Sequence, residues 1–312
     1  MSSTSSEANA RTATKARAKA VPPGEAHSAR RAYLFLAPGV LLFVAVVLVS
    51  IIETFWRSFY VWDGVTAAKW AGLANYRHVV SDPAVRGAFF HSLYLILYTC
   101  VIPVTLGLLL AVLLSRARMR GLPVFRTLLF TPQVLSGIAI GIIWKWLYDP
   151  TAGPINKTLI SVGLPGWAKP WLGDFSLALP SIGVIGAWAT MGLCMVLLLA
   201  GIQKIPPSLY DAARVDGAGF FAELRAVTLP GLRNELLVAI TLTLIIALRI
   251  FDIIFVTTQG GPGDTTSVPS LLIYLDAFQY GVVGIAAAIA VVLGAIIMVL
   301  SVTINRIGER GR

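Results

Sequence analysis

Six apolar stretches, at about 33–53, 89–115, 127–148, 179–201, 235–256 and 283–304, set the limits on what this chain can become. Each is near the roughly 20 residues a helix needs to cross a hydrocarbon core. Inside a bilayer the backbone finds no water, so a spanning segment must satisfy its own N–H and C=O groups, and a helix does so within one segment. The sequence predicts an all-α integral membrane protein with six transmembrane helices. Composition agrees, since 57% of the 312 residues are hydrophobic and 13% charged, against about half and a quarter in soluble domains. Pro103, Gly107, Pro132 and Gly137 interrupt two of the stretches, which membrane helices tolerate where neighbours take up the freed backbone groups.

Residues 1–32 are rich in Ser, Thr, Ala, Lys and Arg and bury too little to offset chain entropy, so they read as a disordered basic leader. The first apolar stretch begins at Tyr33 and ends in Glu53-Thr-Phe-Trp-Arg57 instead of a small-residue cleavage site, the pattern of a signal anchor. Residues 33–304 form the membrane domain and 305–312 a short tail.

Net charge is +10, and in a chain this apolar the first use of that charge is topology rather than nucleic acid binding. The leader, the segments after the second and fourth stretches and the chain end hold 17 Lys and Arg; the alternate segments 54–88, 149–178 and 257–282 hold 6. The larger count marks the cytoplasmic side, which places both termini in the cytoplasm of a multi-pass protein of the cell membrane. Cys100 and Cys194 both lie inside apolar stretches, which suits small buried side chains and no disulfide framework.

Between the fourth and fifth stretches runs a polar segment, 205–230, IPPSLYDAARVDGAGFFAELRAVTLP. Pro206 and Pro207 stop the preceding helix. Ser208 is placed as an N-cap with Asp211 three positions on, and Gly217 as the C-terminal glycine of the short helix. Phe220, Phe221, Leu224 and Val227 form the apolar stripe of a second helix, which Thr228-Leu229-Pro230 ends. Amphipathicity alone leaves two readings open, a connector lying on the membrane surface and a surface that another protein grips.

The run Tyr210-Asp211-Ala212-Ala213-Arg214-Val215-Asp216-Gly217-Ala218, followed by Thr228-Leu229-Pro230, resembles the "EAA" loop of permease subunits of binding-protein-dependent ATP-binding-cassette (ABC) importers. Asp211 stands where that family usually has Glu, and Val227 where it has Ile. The likeness continues through Pro132, Trp144, Gly153 and Asn156, through Trp188 and Ala200-Gly-Ile-Gln-Lys-Ile-Pro206, and through Arg249-Ile-Phe-Asp252 and Thr257-Thr-Gln-Gly-Gly-Pro-Gly263. These last segments are similar to carbohydrate-type permeases of the maltose F-side group. The resemblance implies a type I ABC importer permease fold and a role as half of a sugar or oligosaccharide pathway. It also implies an ATP-binding subunit dimer as partner, a second permease forming a heterodimer, an extracytoplasmic solute-binding protein, and surrounding membrane lipid. The ATPase contact it implies comprises Tyr210, Asp211, Ala212, Ala213, Asp216, Gly217, Ala218 and Pro230.

Thr131, Gln133, Ser136, Trp188, Thr243, Arg249 and Asp252 are polar or aromatic positions in the spans, candidates both for lining a solute path and for helix packing. Arg249 and Asp252 stand one helical turn apart, a spacing at which they can pair. Lys145 between Trp144 and Trp146 reads as a side chain snorkelling in an aromatic belt. Gly260, Gly261 and Pro262 form an outer turn. No G-x-x-x-x-G-K-[ST] run occurs, so ATP is expected on a partner and this chain needs no cofactor, metal or catalytic residue of its own. An ion-coupled secondary transporter is the competing class, though it calls for intramembrane ion sites and internal repeats. An intramembrane hydrolase finds little support among three His.

Overall fold

The computed structural model describes residues 26–116 and 121–309, with side chains over 33–116 and 121–308. The leader up to residue 25, the Arg118 and Arg120 of the first short loop, and the last three residues lie outside the described residues. The chain divides into two compact units, Met1–Glu53 and Thr54–Arg312. In the first, the described residues are helical from Ala26 onward, so the last residues assigned to the leader are helical. It continues as α1 (Tyr33–Arg57), whose apolar side chains are exposed from Tyr33 to Ile52.

The second unit holds the other spans. A two-residue hairpin pairs β1 (Tyr60–Val61) with β2 (Lys69–Trp70) antiparallel and leads into α2 (Ala74–Ser81). The second span is α3 (Pro83–Arg116). Asp82 caps its start by accepting from the Ala84 N–H at 2.7 Å. Pro103 offers no N–H to the Thr99 carbonyl four residues earlier. The helix loosens into a π turn at Leu97–Val101, and the Thr190 hydroxyl of the fourth span donates to that carbonyl at 3.4 Å.

The third stretch departs from the straight helix expected over 127–148. It forms α4 (Leu122–Val134) and α5 (Gly137–Leu147), bent by 101°. Pro132 lies in the last turn of α4, and Leu135 and Ser136 are extended. The Ser136 hydroxyl then caps α5 by accepting from the Ala139 N–H at 3.2 Å, so the new helix starts with a partner for an orphan N–H. After α6 (Pro154–Ser161), the fourth span α7 (Ala178–Ile202) runs unbroken. A Cβ on Gly192 would overlap the Leu129 carbonyl oxygen, so α4 and α7 touch backbone to backbone, as small residues allow in membranes.

The polar segment folds as α8 (Pro207–Val215) and α9 (Phe220–Glu223), the latter continued by a π turn at Leu224–Thr228. The fifth stretch is also broken, into α10 (Arg233–Leu248) and α11 (Asp252–Thr257). It is followed by α12 (Pro269–Tyr274) and the last span, α13 (Val283–Glu309), which carries helix into the stretch assigned to the tail. Two apolar clusters frame the polar regions of this unit. One gathers Leu95, Ile140, Ile182, Ile185 and Ile254 around the two breaks. The other gathers Ala111, Val112, Leu198, Leu199, Ile202, Ile205 and Leu232 beneath the polar segment.

Candidate functional site

The breaks in the third and fifth spans face each other. A Cβ on Gly137, the first residue of α5, would lie 2.8 Å from Oδ2 of Asp252, the first residue of α11. Between the breaks, α3 and α7 lies a cavity of about 520 Å³, lined by Thr99, Pro132, Gln133, Thr190, Arg249 and Asp252 among others. Breaking a membrane helix frees backbone polar groups, and these are tolerated where they line a cavity.

The cavity brings together some of the polar positions singled out from sequence and leaves out others. Gln133, Arg249 and Asp252 line it, and Ser136 caps the helix at its edge. Thr131 donates to the Thr127 carbonyl of its own helix at 2.8 Å. Thr243, fully buried, donates to the Ala239 carbonyl at 2.7 Å. Trp188 packs edge-on to Trp144 with ring centroids 5.6 Å apart, beside the first apolar cluster. Arg249 and Asp252 do not pair as their spacing suggested, because α10 ends at Leu248 and the chain between them is not helical. Both side chains are exposed toward the cavity. Lys145 donates to the Val256 carbonyl of α11 at 3.2 Å, a tie between the two broken spans in place of the snorkelling geometry.

At one end of the bundle sits the polar segment. α8 begins two residues earlier than the sequence indicated, with Pro206 in place of Ser208 as its N-cap, Pro207 inside the first turn and no side chain capping it. The ring fixes the φ a first helical turn needs and lacks only an N–H that is an orphan there anyway. Its other end closes as expected at Gly217, with φ +80°. The Gly217 N–H donates to the Arg214 carbonyl at 3.0 Å and the Ala218 N–H to the Ala213 carbonyl at 2.9 Å, the paired bonds of a Schellman cap. Asp211, Ala212, Asp216, Gly217 and Pro230 are exposed, while Ala213, Ala218 and Tyr210 are half-buried. The Tyr210 hydroxyl is hydrogen-bonded to that of Thr228 at 3.2 Å. Pro230 does not end the second helix; it lies in one further turn, Leu229–Gly231.

Sequence reasoning missed the residue that holds this segment together. Glu223 on α9 has a carboxyl 4% exposed. It accepts from the Arg116 guanidinium at the end of α3 and from Arg214 Nε on α8 at 3.0 Å. Burial works to raise the pKa of this carboxyl, and the two guanidiniums outweigh it and hold it below its ordinary value. Arg116 also lies over the Phe220 ring, 5.0 Å from its centroid. Beside this cluster opens a second cavity of about 620 Å³, lined by Arg116, Arg126, Tyr210, Asp211, Arg214 and Thr228 among others.

At the opposite end, the turn expected on the outer side has Gly260 at φ +93°, a cis peptide between Gly261 and Pro262, and Gly263 at φ +52°. The Thr266 hydroxyl donates to the Gly261 carbonyl at 2.8 Å. Asn156, 3% exposed, stitches the neighbouring segment by donating to the carbonyls of Pro150 and Lys169 at 3.1 and 3.0 Å and accepting from Trp171 Nε1 at 2.8 Å.

Spans broken around a shared polar cavity, with a helical segment clasped at one end of the bundle, are the layout of a polytopic membrane protein with a polar site inside its bundle. The chain belongs to the family described as the binding-protein-dependent transport system inner membrane component, whose model matches residues 104–307. It is therefore a multi-pass permease subunit of an importer, which sets aside the ion-coupled secondary transporter. A probable ABC transporter permease, YurN of Bacillus subtilis, is 34% identical over 282 residues, covering 90% of this chain and 96% of that one. The trehalose/maltose transport system permease MalF of Thermococcus litoralis is 33% identical over 284 residues, covering 90% and 94%. In fold, the chain is similar to a crystal structure of a bacterial ABC transporter that imports alginate. The TM-score is 0.79 at 21% identity, covering 92% of this chain and 97% of that one.

Proposed function

We propose that the chain forms half of the pathway for a sugar or oligosaccharide and pairs with a second, different permease. The 205–230 loop docks on a dimer of ATP-binding subunits in the cytoplasm, and a solute-binding protein delivers at the opposite end. The observation that carries this reading is the cavity between the two breaks, in a chain whose T. litoralis relative is named for trehalose and maltose. Its lining of amide, hydroxyl and charged side chains over an apolar frame suits hydroxyl-rich solutes. The excess of Lys and Arg around the polar segment supports its cytoplasmic placement. On α8, Ala212 is exposed and Ala213 half-buried, and side chains this small let another backbone come close. Movement of the ATPase would then tilt α8 and the spans attached to it, giving alternating access.

The test uses the complex purified with its ATPase and binding protein, screened for sugars that stimulate ATP hydrolysis. One or a few related sugars are expected to do so, and Ala213→Leu or Gly217→Leu is expected to abolish the stimulation while the permease still inserts in the membrane. Leu at Gly217 must adopt the positive φ of the cap, which costs of order 1–2 kcal/mol. Uptake driven by a proton or sodium gradient without ATP would overturn the reading, as would normal transport by both variants.

A further inference from the structure

We propose that Glu223 is a positioning residue that locks α8 to the end of α3, so that the second span moves with the proposed ATPase contact. The inference rests on the coupling role proposed for the 205–230 loop. By sequence, α8 is joined covalently to α7 on one side and, through α9, to α10 on the other; α3 has no covalent link to it. Glu223 supplies the missing link. It sits on α9, takes Arg214 from α8 with one carboxylate oxygen and Arg116 from α3 with the other, and is buried between them.

Three further contacts point the same way. Arg116 lies over the Phe220 ring of α9. The Thr228 hydroxyl bridges Tyr210 of α8 and the carbonyl of Glu223 itself, at 3.2 and 3.4 Å. Beneath the ion pairs, Tyr210, Leu224 and Val227 pack on Ala111 and Val112 of α3 and Leu198, Leu199 and Ile202 of α7. α8, α9, α3 and α7 thus share one apolar floor with one charged bolt across it.

The charge arithmetic makes the carboxylate the indispensable member. Two guanidiniums converge on Glu223, and the remaining acid nearby is Asp211, 3.5 Å from Arg214. Removing either arginine leaves the carboxylate one partner. Neutralising Glu223 leaves two cations facing each other across the joint. Their side chains are 38% and 58% exposed, so both can turn to water, and the expected outcome is a broken link in a folded protein. The cavity beside the cluster gives the released side chains and solvent room.

The experiment places spin labels at Ser208→Cys on α8 and Leu113→Cys on α3, both exposed positions, in the full complex with its ATPase. The native Cys100 and Cys194 are buried and stay unlabelled. Distances are read without nucleotide and with ATP and vanadate. In the wild type the label distance should hold within roughly 2 Å between the two states, the scale of small shifts inside a packed body. In Glu223→Gln it should spread or shift by roughly 5 Å, about one helical turn, with the ATPase still bound. Glu223→Asp, which keeps the charge, should restore the wild-type distances. A wild-type distance that changes as much as that of Glu223→Gln would overturn the clasp, as would a Glu223→Gln distance identical to wild type in both states. Either result with ATPase retained leaves the docking reading standing. A wild-type permease that captures no ATPase would overturn both.

Discussion

The two ends of the bundle use acidic residues in opposite ways. At the end holding α8, the buried carboxylate joins three separate elements, and Glu235 at the start of α10 pairs with Lys204 beyond the end of α7 at 3.0 Å. At the opposite end, carboxylates serve the backbone a few residues away. Asp63 accepts from the N–H groups of Val65 and Thr66, Asp149 from those of Thr151 and Ala152, and Asp174 from those of Ser176 and Leu177. Links between elements pass on movement, whereas local Asx turns fix one loop and pass on nothing. The end proposed to follow an ATPase is built from the first kind. The end proposed to receive solute is built from the second.

The sharpest test of this contrast is the buried amide that is the exception at the second end. Asn156→Ala leaves the carbonyls of Pro150 and Lys169 and the Trp171 N–H without their partner. A buried unsatisfied group costs about 1–3 kcal/mol, so a loss of about 2–4 kcal/mol in local stability is expected, read as protease cleavage between 150 and 171. ATPase capture should be unchanged. If capture fell in step with the cleavage, the two ends would not be independent and the comparison would break.

Asp149→Ala probes a smaller version of the same effect. It removes a side chain that holds two N–H groups and the Thr151 hydroxyl, as an N-cap side chain does, so the loop should open more readily, by less than in Asn156→Ala. Hydrogen bonds from Ala152 and Thr151 hold this carboxyl below its ordinary value of 3.8. A depressed folded pKa contributes stability that is present above the unfolded value and lost as pH falls through the folded one. The difference between variant and wild type, followed by amide exchange in the 149–153 loop, should therefore be constant from pH 5 to pH 8 and shrink only in strong acid.

Much of this organisation was legible in the sequence, and the parts that were not have physical reasons. Apolar length announced every span, and Gly217 announced its Schellman cap because a left-handed position needs that residue. The breaks in the third and fifth spans stayed hidden because hydropathy does not distinguish a straight helix from two shorter ones. Pro132 lies at the first break, but a proline inside a membrane helix is also compatible with a span that continues, and nothing of that kind marks Arg249 to Phe251. The Arg249 and Asp252 spacing then misled, since it presumed a continuous helix. Glu223 did carry a signal: at three after Phe220 and four before Val227 it lies on the apolar stripe of its own helix. A charge on that face calls for partners, and they were invisible because Arg116 comes from a span more than a hundred residues earlier.

The smallest expected effect separates the ends by sign. Asp276, just before the last span, is half-buried, and burial raises the pKa of its carboxyl; His78 nearby lowers it and Asp82 raises it again. His78 and Asp82 are themselves 3.3 Å apart, and burial remains the largest influence on Asp276. A raised folded pKa means stability that is present below the unfolded value of 3.8 and lost as pH rises through the folded value. At neutral pH the ionised carboxylate is therefore a cost, opposite in sign to Asp149 and Glu223. Asp276→Asn keeps the shape and removes that cost, so it should stabilise the purified protein at pH 7 by a few tenths of a kcal/mol, near the limit for a surface substitution. The gain, read from thermal unfolding in detergent, should fade as pH is lowered toward 4. A variant that lost stability at pH 7 would show that the carboxylate holds a structural partner, and the second end would then also contain a link of the kind that ties the first.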